Sequence, residues 1–201
     1  EVFPKEWADI QWHLAYAYKD RIHGDQAENI EQAIQAYELA LQVYVRESFP
    51  EDWAMIQNNL GNAYKDRIRG DKANNIEQAI QAYKLALQVR THENFPEKWA
   101  MTQSNLAIAY ENRIHGDKAE NIEQAIQAYE LALQGYNREN SPENWAMTQN
   151  SLGLTYKDRV RGDKAENIEQ AIQAYELALQ VRTRENFPEK WAMTQSNLAI
   201  A

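Results

Sequence analysis

The chain has 201 residues, 44% apolar and 25% charged, with 7 Gly, 5 Pro, no Cys and a formal net charge of −9. So few Gly and Pro leave little material for strands or long loops and predict an overwhelmingly helical protein. The lack of Cys removes disulfides, thiolate metal ligands and a cysteine nucleophile and fits a reducing cytoplasm; the acidic balance argues against nucleic acid, and no apolar run reaches the roughly 20 residues that cross a membrane.

A Trp recurs at Trp7, Trp53, Trp99, Trp145 and Trp191, always 46 residues from the last. Whole segments travel with it: FPEKWAMTQSNLAIA stands at 95–109 and again at 187–201, and NIEQAIQAY begins at Asn29, Asn75, Asn121 and Asn167. A fixed period of about 20 to 50 residues marks a solenoid, in which each unit buries its apolar face against its neighbours. The units run at about 4–49, 50–95, 96–141 and 142–187, with a partial fifth at 188–201. They form a single array, expected to be part of a longer one because neither end carries a polar capping unit.

The second unit shows the elements in order. Trp53, Ile56, Leu60, Gly61, Tyr64 and Ile68 fall three or four apart, which predicts a first helix, A, over roughly 51–68. Pro50 opens it, and Gly70 closes it by taking a left-handed conformation. Ile76, Ala79, Ile80, Tyr83, Ala86 and Leu87 make the stripe of a second helix, B, from about Ile76 to Glu93. Asn75 is its expected N-cap, paired with Gln78 in a capping-box-like arrangement. Glu31, Glu77, Glu123 and Glu169 then fall in the first turn of B, where the helix dipole favours negative charge. Gly61 and Gly153, with Ala15 and Ala107 at the same place, let helix B approach helix A closely.

Leu60, Gly61, Tyr64, Ala79, Tyr83 and Ala86 resemble, in order, the signature of the tetratricopeptide repeat, with both inter-helix connections lengthened. The longer unit is similar to that of kinesin light chain, and NLGNAY, RGDKAENIEQAI and FPEKWA resemble the arrays of bacterial caspase-like CHAT proteins. The resemblance implies an all-α fold, a right-handed α-solenoid of antiparallel helix pairs whose A helices line an inner groove. It also implies which residues face that groove: Met55, Asn58, Asn59, Asn62, Lys65 and Asp66; then Met101, Ser104, Asn105, Ile108, Glu111 and Asn112; then Met147, Asn150, Ser151, Leu154, Lys157 and Asp158.

Such a groove is amide-rich and floored with Met. An Asn amide both donates and accepts, so Asn59, Asn105 and Asn197, assisted by Asn58, Asn62 and Asn150, would hold the backbone of an extended peptide. The Met side chains would add adaptable apolar contact. The same Asn would also serve simply to cap or solvate helix A. In the first unit Trp12, His13 and Tyr16 replace the amides, either as an anchor pocket or as cover for apolar surface at an end. Lys65, Arg67, Arg69 and Lys72, with Lys157, Arg159, Arg161 and Lys164, form a basic band that suits either the C-terminal dipole of helix A or an acidic partner.

The expected function is therefore a protein-interaction scaffold for a peptide segment of another protein or of the same polypeptide. Stacking or dimerisation through the ends is the alternative. No enzyme is expected, since the chain has no nucleophile paired with a base and no phosphate loop. No metal or cofactor is expected either, because no two of the four His share ligand spacing on one face.

Overall fold

The computed structural model describes residues 4–201, which hold nine α-helices and no strand. The chain divides into two compact units, one ending at Thr91 and one running from His92 to Ala201. The first contains α1 (Pro4–Lys19), α2 (Gln26–Ala40), α3 (Pro50–Asp66) and α4 (Lys72–Ala86). α1 packs on α2, α3 on α4, and α2 on α3. The second contains α5 (Pro96–Glu111), α6 (Lys118–Gly135), α7 (Pro142–Lys157), α8 (Lys164–Leu179) and α9 (Pro188–Ala199). There α5 packs on α6, α7 on α8, and the pairs join through α6 on α7 and α8 on α9. This is an all-α repeat solenoid; odd-numbered helices are the A helices and even-numbered ones the B helices.

Each helix pair closes on one tyrosine. Tyr37, Tyr83, Tyr129 and Tyr175 of the B helices are at most 1% exposed. Burying a large apolar side chain is worth about 1.5–3 kcal/mol, so these four rings weigh heavily in the cores. Tyr83 lies directly under Gly61, where an added β-carbon would come within 2.6 Å of the ring. The close approach expected of Gly61 is therefore real.

The helix ends differ from expectation. A helices open on Pro at the first position, as Pro50 predicts, but α3 stops at Asp66 rather than 68. Helix B begins four residues earlier than predicted. Its N-cap is Asp71, not Asn75: the Asp71 carboxylate accepts from the Asn74 N–H at 2.8 Å. Asp25, Asp117 and Asp163 do the same for α2, α6 and α8. Asn75 instead lies inside α4, 2% exposed, and its Nδ2 donates to the Arg69 carbonyl across the turn at 2.8 Å. Gly70 at the centre of that turn has φ +81°, a conformation that favours glycine. Helix B also ends early, at Ala86 rather than Glu93. Glu31 and Glu123 consequently stand in the second turn, too far from the N-terminus for the dipole to explain them.

Candidate functional site

Within the second unit, the solvent-facing surface of the A helices repeats from helix to helix. Met101, Met147 and Met193 are 37, 45 and 48% exposed. Four residues on come Asn105, Ser151 and Asn197, and seven on come Ile108 and Leu154, all half-buried, with Ile200, exposed, at the end of α9. Spacings of four and seven place each set on one helix face. Met55, Asn59 and Asn62 of α3 hold the same places in the first unit and are half-buried.

The predicted amides divide into two groups. Asn58 is 1% exposed and donates to the Asn59 Oδ1 at 3.3 Å. Asn150 is 4% exposed and accepts from the Asn197 Nδ2 at 3.1 Å. At the same place on α5, Ser104 meets the Thr148 hydroxyl at 3.3 Å. On α5 and α7 this position joins neighbouring A helices, and on α3 it is equally buried, so Asn58 and Asn150 are corrected from groove-lining to buried residues. Asn59, Asn105 and Asn197 stay at the surface. Asn59 donates to the Tyr16 hydroxyl at 2.9 Å, and Asn62 accepts from the Tyr83 hydroxyl at 2.8 Å.

The first-unit aromatics form a cluster of tilted and edge-on rings. The Trp12 ring is 4.9 Å from His13 and 6.0 Å from Tyr16, and Tyr16 stands edge-on to the buried Tyr37 at 6.2 Å. Trp12 is half-buried and Tyr16 is exposed. The His13 Nδ1 donates to the Asp9 carbonyl at 2.6 Å.

The basic band is largely consumed inside the protein. Arg67 donates twice to Glu31, at 2.7 and 2.6 Å, linking α2 to the end of α3. Arg159 does the same to Glu123, at 2.8 and 2.7 Å. Arg69 pairs with Glu28 at 2.7 Å and Arg161 with Glu120 at 2.8 Å. Hydrogen bonds from Arg67 and Arg159, joined by their charge, hold the Glu31 and Glu123 carboxyls below the usual carboxylate range. Lys72 and Lys164 donate to the carbonyls of Lys65 and Lys157 at 2.9 and 2.6 Å, which fits the helix-dipole reading for these two residues. A polar recess of about 340 Å³ beside Glu28, Glu38, Tyr64 and Arg67 has its charges met in the same way.

One groove-facing residue implied by the resemblance breaks the charge pattern of its repeat-mates. Glu111 closes the face of α5, where the other repeats carry Lys19, Lys65 and Lys157. Its carboxylate accepts from the Thr155 hydroxyl at 2.6 Å and the Tyr129 hydroxyl at 2.9 Å. Desolvation pushes its pKa up, helped by the charge of Asp158 and opposed by the two hydroxyl bonds. Among the described residues no group of three His, Cys, Asp or Glu is placed to hold a metal, and no helix is long and apolar enough to cross a membrane.

Comparison with known proteins bears on the fold. Residues 53–97 match the family model of the tetratricopeptide repeat. A crystal structure of BtubC (BKLC) from P. vanneervenii is similar over 98% of this chain and 82% of that one, with a TM-score of 0.64 at 21% identity. No curated protein matches. Because the matched segment recurs every 46 residues along the sequence, the chain is an array of helical repeats, one of which, at 53–97, matches the tetratricopeptide repeat, with a fold like that of BtubC.

Proposed function

We propose that the chain is a protein-interaction scaffold that holds an extended segment of a protein partner along the face of its A helices. Tetratricopeptide repeats generally mediate protein–protein interaction. The observation that carries the finer reading is the recurrence of exposed Met101, Met147 and Met193, each one turn from a half-buried Asn105, Ser151 or Asn197. An exposed thioether is adaptable apolar surface, and an amide or hydroxyl beside it satisfies a strand's backbone. Single hydrogen bonds of this kind contribute about 0.5–1.5 kcal/mol, so useful affinity comes from several repeats acting together. Nothing in this reading asks for reaction chemistry or a cofactor, and a chain without Cys suits a cytoplasmic setting.

The test is selection of a displayed library of random dodecamer peptides on the chain, followed by titration of the enriched peptides. Met147→Glu with Met193→Glu changes only exposed positions. It should weaken those peptides at least tenfold while leaving the melting temperature unchanged; unaltered affinity would refute the face as the binding surface.

A second reading, association of copies through α1, draws on Ile10 and Leu14, exposed at 57 and 39% where Ile56 and Leu60 are 0 and 6% exposed. Light scattering across a concentration series tests it, a constant mass ruling it out.

A further inference from the structure

We infer that Glu111 is an anchor for a cationic side chain, so that the partner segment carries a Lys or Arg where it crosses α5. The inference rests on the peptide-binding reading and names what it recognises.

Three observations support it. The first is charge inversion at a single repeat. Lys65 and Lys157 are each followed by an Asp, and Lys65 pairs with its neighbour Asp66 at 3.3 Å. In the third repeat the couple becomes Glu111 and Asn112. Both members have changed, and the pair is gone. Asn112 turns away, donating its Nδ2 to the Ile108 carbonyl at 2.7 Å.

The second is the setting of the carboxylate. Thr155 holds Oε1 and Tyr129 holds Oε2, so the group is fixed by a hydroxyl from α7 and another from α6. Thr155 is itself fastened to the Ser151 carbonyl at 2.9 Å. No cation pairs with Glu111 among the described residues, whereas Glu28, Glu31, Glu120 and Glu123 each have an arginine. A carboxylate positioned by neutral donors and lacking a cation retains lone pairs that a guanidinium or ammonium group satisfies.

The third is its location. Met101, Asn105, Ile108 and Glu111 are spaced by four, three and three residues on α5, which continues one helix face from apolar contact through amide to charge. A segment lying on that face with its backbone at Asn105 brings a long side chain within reach of Glu111. Charge complementarity therefore selects a basic residue at that place and disfavours an acidic one.

The experiment compares dodecamer selections on three chains: wild type, Glu111→Gln and Glu111→Lys. Gln keeps the shape and one hydroxyl bond, its NH2 donating to the other hydroxyl in place of accepting from it, and Lys restores the residue of the other three repeats, so both variants should fold; a single cooperative thermal melt for each checks this. Wild type should enrich Lys or Arg at one peptide position, with Glu111→Gln weakening those peptides roughly tenfold. Glu111→Lys should replace the basic preference with an acidic one. Equal basic enrichment on all three chains, or peptides with no charge preference, would overturn the anchor and leave the scaffold reading standing. Failure of all three chains to enrich any peptide would remove both.

Discussion

Gly135 offers a test in which sequence averaging and structure point in opposite directions. The other three repeats carry Val43, Val89 and Val181 at this place, so restoring Val would ordinarily count as a stabilising consensus change. The structure predicts a loss. Val43, Val89 and Val181 lie in turns beyond the ends of α2, α4 and α8, whereas α6 continues as helix through Gly135. A β-carbon on Gly135 would stand 2.4 Å from the Pro96 carbonyl oxygen and 2.9 Å from the Ala100 β-carbon. Neither obstacle is the movable tip of a side chain. Gly135→Val must therefore displace the start of α5, an overpacking of about 1–3 kcal/mol, or unwind the last turn of α6. Unwinding would substitute shorter-range bonds of the kind Val43 makes to the Ala40 carbonyl, at 3.1 Å. Helix propensity returns less than about 1 kcal/mol. The net loss is about 1–2 kcal/mol, a fall of about 2–8 °C in a chain of this size. Thermal melting followed by circular dichroism reads the loss, and hydrogen exchange of the amides at 132–136 locates it. A melting point equal to or above wild type, with unchanged protection there, would refute the reasoning.

Gly61→Ala forces the Tyr83 ring aside and costs its bond to Asn62. It should therefore destabilise by about 1 kcal/mol more than Gly153→Ala, since the Tyr175 hydroxyl has no partner to lose; urea titrations with equal midpoints would contradict this. Arg67→Met with Arg159→Met should cost at most about 1 kcal/mol per pair, because the pairs are partly exposed. Glu31 and Glu123 are held below the usual range, so the pairs contribute fully above that range and fade as pH falls through the lowered values; a wild-type-to-variant difference that stays constant in acid would count against them. Glu111 is raised, so the folded state is penalised once pH exceeds the ordinary carboxylate range. Relative to wild type, Glu111→Gln should therefore gain melting temperature as pH rises from acid to 7, and a wild-type-to-variant difference that does not change with pH would count against the raised value.

What the sequence made legible followed from periodicity. The 46-residue spacing, the helix pairs and the glycine over Tyr83 all arise from residues whose chemistry is local or repeats in register. The errors arose where adjacent residues compete for one task. Asn75 and Asp71 both suit a helix N-cap, but Asp25, Asp117 and Asp163, at the same place as Asp71, each stand three residues before a Glu, at Glu28, Glu120 and Glu166. A carboxylate three residues before the N–H that donates to it was the stronger signal. Asn58 and Asn59 differ by one residue, about 100° around the helix, and only the packed fold decides which is sealed. Glu31 and Arg67 lie 36 positions apart, beyond any local pattern, which is why the Arg looked like a free basic band.

Glu111 raises a question specific to repeat proteins. On the proposed function, a partner segment lying on identical surfaces could slide by one repeat and find the same contacts, so repeated Met and Asn would supply affinity without fixing a register. Shifting a bound segment from an even mixture of two registers to a tenfold preference needs about 1.4 kcal/mol of difference between them. No residue that recurs in every repeat can supply that difference. A charge present in one repeat and reversed in the others can, because the same basic side chain is attracted at Glu111 and repelled at Lys157. The energy separating the two placements is thus the sum of one favourable and one unfavourable contact. Replacing Glu111 by Lys would remove the distinction while leaving the repeated surface intact, which is why loss of register, rather than loss of binding altogether, is the mark of this residue.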